Sequence, residues 1–101
     1  MNKIFGMIGL AAGAGKIAYG DSAVCKNIIC GKAKLVILAK NCGDNINSKI
    51  KKLCFENEVK CVEFSDKESI GKAVGKDDKA VIAITDDGFA QAVLKLINTA
   101  N

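Results

Sequence analysis

Apolar residues at Ile4, Phe5, Ile8 and Ala12 recur every three to four positions, the spacing of one helix face, and predict a helix near 2–13. Gly13-Ala14-Gly15-Lys16 reads as a tight turn, and Ile17-Ala18-Tyr19 as a short extended piece. A second helix is expected to begin just after Gly20, capped by Asp21 or Ser22. Val24, Cys25, Ile28 and Ile29 form its apolar stripe, and Gly31 stops it. Lys34-Leu35-Val36-Ile37-Leu38-Ala39 is a continuous apolar run with polar flanks, the pattern of a strand buried on both faces.

The same alternation continues to the end of the chain. Asp44 or Asn45 can cap a third helix carrying Ile46, Ile50, Leu53 and Cys54 on one side and Lys49, Lys51 and Lys52 elsewhere. Cys61-Val62-Glu63-Phe64 follows as a short strand. Ser65 or Asp66 then caps a fourth helix through Ile70, Ala73 and Val74, ended by Gly75. Lys76-Asp77-Asp78-Lys79 is a charged turn, Ala80-Val81-Ile82-Ala83-Ile84 a second buried strand, and about Asp86 to Ile97 a last helix. Helices alternating with strands predict an α/β fold: a three-layer α/β/α sandwich around a mixed four-stranded sheet.

Length and composition bound this picture. At 101 residues, 50% apolar and 26% charged, the chain is sized for a single domain spanning 1–101. It has no histidine, proline or tryptophan, which removes histidine acid–base catalysis and histidine metal ligation. The five cysteines are an odd number without a Cys-x-x-Cys pair, so neither a paired disulfide framework nor a zinc site is expected, and most read as reduced core thiols of a cytoplasmic protein. Cys42, in the loop-like Asn41-Cys42-Gly43-Asp44-Asn45, is the one expected to be exposed and reactive. Met1-Asn2-Lys3 followed by an apolar stretch is similar to a secretory signal with Ala18-Tyr19-Gly20 as its cleavage site, but the helical spacing favours a folded first helix. That stretch is too short to span a bilayer, so no membrane is expected.

The net charge of +4 suggests an anionic partner, and because all fifteen basic residues are Lys, bidentate guanidinium contacts are absent. Gly13-Ala14-Gly15-Lys16 is similar to a phosphate-binding loop but departs from it: Leu10 stands at the first-glycine position and Ile17 replaces the magnesium-binding hydroxyl. Lys16 remains able to reach a phosphate. Asp77-Asp78 and Asp86-Asp87 read as turn and cap residues. No serine has a histidine partner or sits in a Gly-x-Ser-x-Gly elbow, so no catalytic apparatus, metal or cofactor is expected.

Gly20-Asp21-Ser22-Ala23-Val24-Cys25-Lys26 brings a glycine turn into a helix N-terminus with Lys26 inside it, an arrangement suited to phosphate. Gly31-Lys32-Ala33-Lys34 closes that helix, and Ile70-Gly71-Lys72-Ala73-Val74-Gly75-Lys76 is a second glycine-and-lysine element. In this order, with Ala80 to Ile84 ahead of Asp87-Gly88-Phe89-Ala90, these segments make the chain resemble the kink-turn-binding ribosomal-protein superfamily of the archaeal large-subunit type, most closely its bacterial YlxQ-type branch.

The resemblance implies a non-catalytic domain that binds structured RNA, rRNA or another kinked RNA, and not DNA, with the ribosome as a partner. The second helix's N-terminus and the loop after the fourth helix would flank a bent duplex. Gly20, Asp21, Ser22, Lys26, Lys32, Gly71, Lys72, Gly75 and Lys76 are the implied RNA-binding residues. Where other members carry Asn and Glu, this chain has Ser22 and Ala23, and Ala23 offers no side-chain acceptor to a guanine. Lys76-Asp77-Asp78-Lys79 stands where strong kink-turn binders often have an apolar loop. The alternative is a protein-interaction module on the same fold. A cysteine enzyme built on Cys42 would lack a histidine base.

Overall fold

The computed structural model describes residues 2–99, in the order α1 (Lys3–Gly13), β1 (Ile17–Tyr19), α2 (Gly20–Ile29), β2 (Leu35–Leu38), α3 (Asp44–Glu56), β3 (Lys60–Glu63), α4 (Lys67–Ala73), β4 (Val81–Ile84) and α5 (Asp87–Thr99). The four strands form one sheet in the order β1-β4-β2-β3. β4 runs antiparallel to both β1 and β2, while β2 and β3 are parallel through the crossover helix α3. Helices α1, α4 and α5 pack together over one face and α2 with α3 over the other, so the sheet is mixed and covered on both sides, as the alternating pattern predicts.

Both continuous apolar runs become the central strands. Every residue of β2 and β4 is buried, whereas the edge strand β3 buries none of its four residues fully. Around them close Ile4 and Ile8 of α1, Val24 and Ile28 of α2, Ile50 and Cys54 of α3, Ile70 of α4, and Ala90 and Val93 of α5. No charged or polar side chain is buried among the described residues. The first helix therefore supplies core: Ile8 is wholly inaccessible, and Phe5 packs its ring on Phe64 with centroids 5.2 Å apart. Ala11, rather than the expected Ala12, is the buried alanine of that helix.

The helix ends follow the expected chemistry in part. Asp66 caps α4, its Oδ1 accepting from the Ser69 N–H at 2.7 Å, and Asp86 Oδ2 accepts from the Phe89 N–H at 2.9 Å in the first turn of α5. Asn2 does the same for α1 through the Ile4 N–H. Two expected caps are corrected. α2 begins at Gly20 and α3 at Asp44, so Asp21, Ser22, Asp44 and Asn45 lie inside their helices, and neither N-terminus has a side-chain cap. In both places a glycine with positive φ, Gly20 at 84° and Gly43 at 92°, swings the chain into the helix in place of a capping side chain. The turn after α1 is closed by Lys16 N–H donating to Ala11 C=O, with Gly15 at φ 72°, so these glycines serve a helix C-terminus.

Cys42 is also corrected. It is buried at 9% exposure with its thiol turned to the Gly43 carbonyl, because Ile46 and Ile50 draw the start of α3 down onto the sheet. The exposed thiol is Cys30, at the end of α2. Among the described residues no helix is long and apolar enough to cross a membrane, and no three His, Cys, Asp or Glu side chains are grouped to hold a metal.

Candidate nucleic-acid interface

Tyr19, the last residue of β1, pairs with Ile82 near the start of β4. The end of β1, the start of α2 and the loop entering β4 therefore meet at one end of the sheet. Lys76 spans the junction, its Nζ sitting 4.9 Å from the centroid of the Tyr19 ring, within the range of a cation–π contact. Two segments more than fifty residues apart in sequence thus become one surface.

The α4–β4 loop is shaped by its glycines. Gly75, at φ 73°, ends α4, and the Lys76 N–H reaches back to the Gly71 carbonyl at 2.9 Å. Gly71 is buried beneath the returning loop: a Cβ there would stand 2.1 Å from the Asp77 carbonyl oxygen. Its contribution is to let the loop close, since its own atoms are covered. Lys79 ties the far side of the loop, donating to Asp77 Oδ1 at 2.9 Å and holding that carboxyl below its usual range, while its N–H bonds the Lys67 carbonyl.

On the other side of the junction, α2 presents the N–H groups of its first turn without a side-chain acceptor. Gly20 has open space where a Cβ would lie, so its positive φ, not crowding, is what requires glycine. Asp21 turns away to α3: Oδ2 accepts from Lys49 Nζ at 3.1 Å and Oδ1 from the Cys25 thiol at 3.3 Å, and the Lys49 bond holds the carboxyl below its ordinary range. Ser22 is exposed and lines, with Cys25, Ile29, Lys49, Lys52, Leu53 and Glu56, a groove of about 370 Å³ between α2 and α3. Lys26 is exposed about one and a half turns into α2, and the Asn27 side chain is occupied with the Ala23 carbonyl at 2.8 Å.

The nine sequence-chosen residues therefore separate. Gly20, Ser22, Lys26, Gly75 and Lys76 belong to the junction, with Asp21 there but paired to α3. Lys72 is exposed on the last turn of α4 and lines a second groove with Phe5, Gly6, Gly9, Ser69 and Ala73, towards α1. Lys32 stands beyond the other end of α2, a helix of 10 residues and thus about 15 Å long. There Thr85 N–H bonds the Lys16 carbonyl and Lys34 N–H the Ile84 carbonyl, so Lys16, Lys32 and Lys34 form a separate basic margin. The residue that sequence reasoning missed is Tyr19. Its signal was available: it is the chain's sole tyrosine and directly precedes Gly20.

The model of the ribosomal protein L7Ae/L30e/S12e/Gadd45 family matches residues 2–94. The chain is 36% identical over 95 residues to the RNA-binding protein YlxQ of Enterococcus faecium, covering 94% of this chain and 91% of that one. It is 32% identical over 94 residues to the RNA-binding protein YlxQ of Bacillus subtilis, covering 93% and 94%. A solved structure of a protein of unknown function from Bacillus halodurans C superposes with a TM-score of 0.94 at 28% identity, covering 97% of this chain and 99% of that one.

Proposed function

We propose, since the chain belongs to the ribosomal protein L7Ae/L30e/S12e/Gadd45 family, that it is a non-catalytic protein that binds structured RNA at the junction of α2 and the α4–β4 loop. The observation that carries this reading is the Lys76–Tyr19 contact at 4.9 Å, which joins the loop to the uncapped start of α2. Phosphate oxygens would accept from the open N–H groups of the first turn, with the positive end of the helix dipole behind them. Lys26 and Lys76 would add full charge from either side, and Lys72 would extend the contact along α4. Gly20 and Gly75 would set the backbone directions, and Gly71 would hold the loop in place from beneath. Asp21, neutralised by Lys49, would leave the phosphate path free of an unpaired anion.

A kinked duplex suits this surface because two backbone segments could follow two protein segments that meet at an angle. RNA of the ribosome is the natural class of target, and the relatives named RNA-binding protein YlxQ support RNA as the partner. Ser22 and Ala23 lack the long polar side chains that would read a guanine edge, so phosphate contacts should supply most of the affinity. Binding driven by ammonium groups weakens as salt rises.

The test is a titration of the pure protein against a kink-turn RNA and an equally long plain duplex at two salt concentrations. Selective, salt-sensitive binding to the kinked RNA is expected. Equal binding to both would leave a general RNA binder, and binding to neither would overturn the reading in favour of a protein-interaction module.

A further inference from the structure

A groove of about 440 Å³ runs between α1 and α4, in the layer opposite the one that holds the α2–α3 groove. Gly6 and Gly9 of α1 and Ala73 of α4 line it with almost no side chain, and Phe5 forms a wall. Phe64, between β3 and α4, braces that ring with centroids 5.2 Å apart and planes tilted by 53°. Gly9 is set by packing, because a Cβ there would stand 3.1 Å from the Ala73 carbonyl oxygen. Gly6 is different: a Cβ there meets no heavy atom within 4 Å, and its φ is not positive. Glycine weakens a helix interior, and neither close packing nor backbone conformation calls for it at this position. What its missing side chain keeps open is the groove. One turn on, Leu10 shares the Gly6 face at 64% exposure and carries the apolar surface onward.

Charge narrows the occupant. Among the described residues Lys72 is the sole charged group in the groove's wall, and it enters no ion pair. The α2–α3 groove, by contrast, carries Glu56 beside its lysines. An aromatic wall beside a floor almost free of side chains admits a flat ring, and an unpaired ammonium at the rim favours an anion. Together they match a nucleotide, with its base against Phe5 and its phosphate on Lys72. The groove also continues the junction surface. The Lys76 N–H bonds the Gly71 carbonyl, so the lysine over Tyr19 and the lysine at the groove's rim both issue from the end of α4.

We infer that the α1–α4 groove takes an unpaired nucleotide of the RNA bound at the junction, its base seated against Phe5 over Gly6 and its phosphate on Lys72. The inference rests on the reading of the chain as an RNA-binding protein and adds a single-stranded element to its target.

The test uses the kink-turn RNA with single-stranded 4-thiouridine tails at both ends, and the same RNA with abasic tails of equal length. Trypsin separates the two surfaces, because cleavage after Lys3, Lys16 and Lys26 puts Phe5, Gly6 and Gly9 on peptide 4–16 and Tyr19 to Lys26 on peptide 17–26. Irradiation should join thiouridine to peptide 4–16. The thiouridine-tailed RNA should bind about fivefold or more tighter than the abasic-tailed one. Gly6→Leu puts a good helix former where there is room for its side chain, filling the groove. It should abolish both effects and leave affinity for the abasic-tailed RNA unchanged. Lys72→Ala should weaken both RNAs alike, about two- to threefold, by removing a phosphate contact. Crosslinks on 17–26 without any on 4–16, or equal affinity for the two RNAs, would overturn the inference while the junction reading stands. Binding of neither RNA would overturn both and leave the groove to a protein segment.

Discussion

Two lysine-bearing regions flank α2, and they use the same side chain differently. On the α3 margin two ammonium groups are matched: Lys49 with Asp21 at 3.1 Å and Lys51 with Glu63. At the junction of α2 with the α4–β4 loop, Lys26 enters no ion pair among the described residues, and Lys76 lies over an aromatic ring instead of a carboxylate. A paired lysine has its charge already satisfied and contributes little to an incoming anion. An unpaired lysine beside an uncapped helix N-terminus keeps its whole field for one. The excess positive charge is thus placed as well as counted.

Gly71→Ala should break this contrast most severely. Its Cβ would overlap the Asp77 backbone, so the loop must move; a loss of about 2–3 kcal/mol of stability is expected, by urea denaturation, with loss of the Lys76–Tyr19 contact and of RNA affinity. Gly20→Ala should follow at about 1–2 kcal/mol, because alanine must adopt φ 84° at a site with room for its methyl group. If stability were unchanged, the strand-to-helix turn would have relaxed, and RNA titration of the same variant would report whether the open N–H groups moved with it.

Lys26→Ala and Lys76→Ala should leave the thermal midpoint nearly unchanged and each weaken RNA binding about three- to tenfold, with the salt slope reduced by about one. Lys49→Ala is the matching control on the paired margin. Its RNA affinity should change far less than that of either junction variant, and an equal loss would erase the distinction between the two regions.

The smallest effect expected is a pH dependence confined to the paired margin. Asp21 and Glu63 are held below their ordinary 3.8 and 4.5, Asp21 chiefly by Lys49 and Glu63 by Lys51 and then Asn47. Carboxylates lowered in the folded state stabilise it above those values, and the contribution is lost as pH falls through the lowered ones. Lys49 and Lys51 are raised above 10.5 by the same partners, so their contribution is complete below that value and lost as pH rises through the folded-state one. Urea midpoints across acid and alkaline pH should sag slightly at both extremes, and less so in a Lys49→Ala, Lys51→Ala double variant.

The order and type of every element were legible in the chain because they rest on local periodicity: the two unbroken apolar runs became β2 and β4, and the glycines at 15, 31 and 75 each followed a helix end. The capping of α2 and α3 was not legible, since Asp21 could cap its own helix or bridge to Lys49, and the contest is decided by a helix far away in sequence. Cys42 was misread for the same reason: a glycine- and asparagine-rich segment reads as loop whether or not the next helix pulls it against the sheet.

The alternation of helix and strand, the buried centre of the sheet, the lysine-only basicity and the two glycine-and-lysine segments are written locally in the chain, because each depends on residues within a few positions of one another. That Lys76 meets Tyr19, that Lys32 belongs to the opposite margin and that Gly71 lies under its loop follow instead from the packing of elements distant in sequence. Those contacts join elements through sheet register and crossover packing. Local patterns carry no record of which strand will lie beside which.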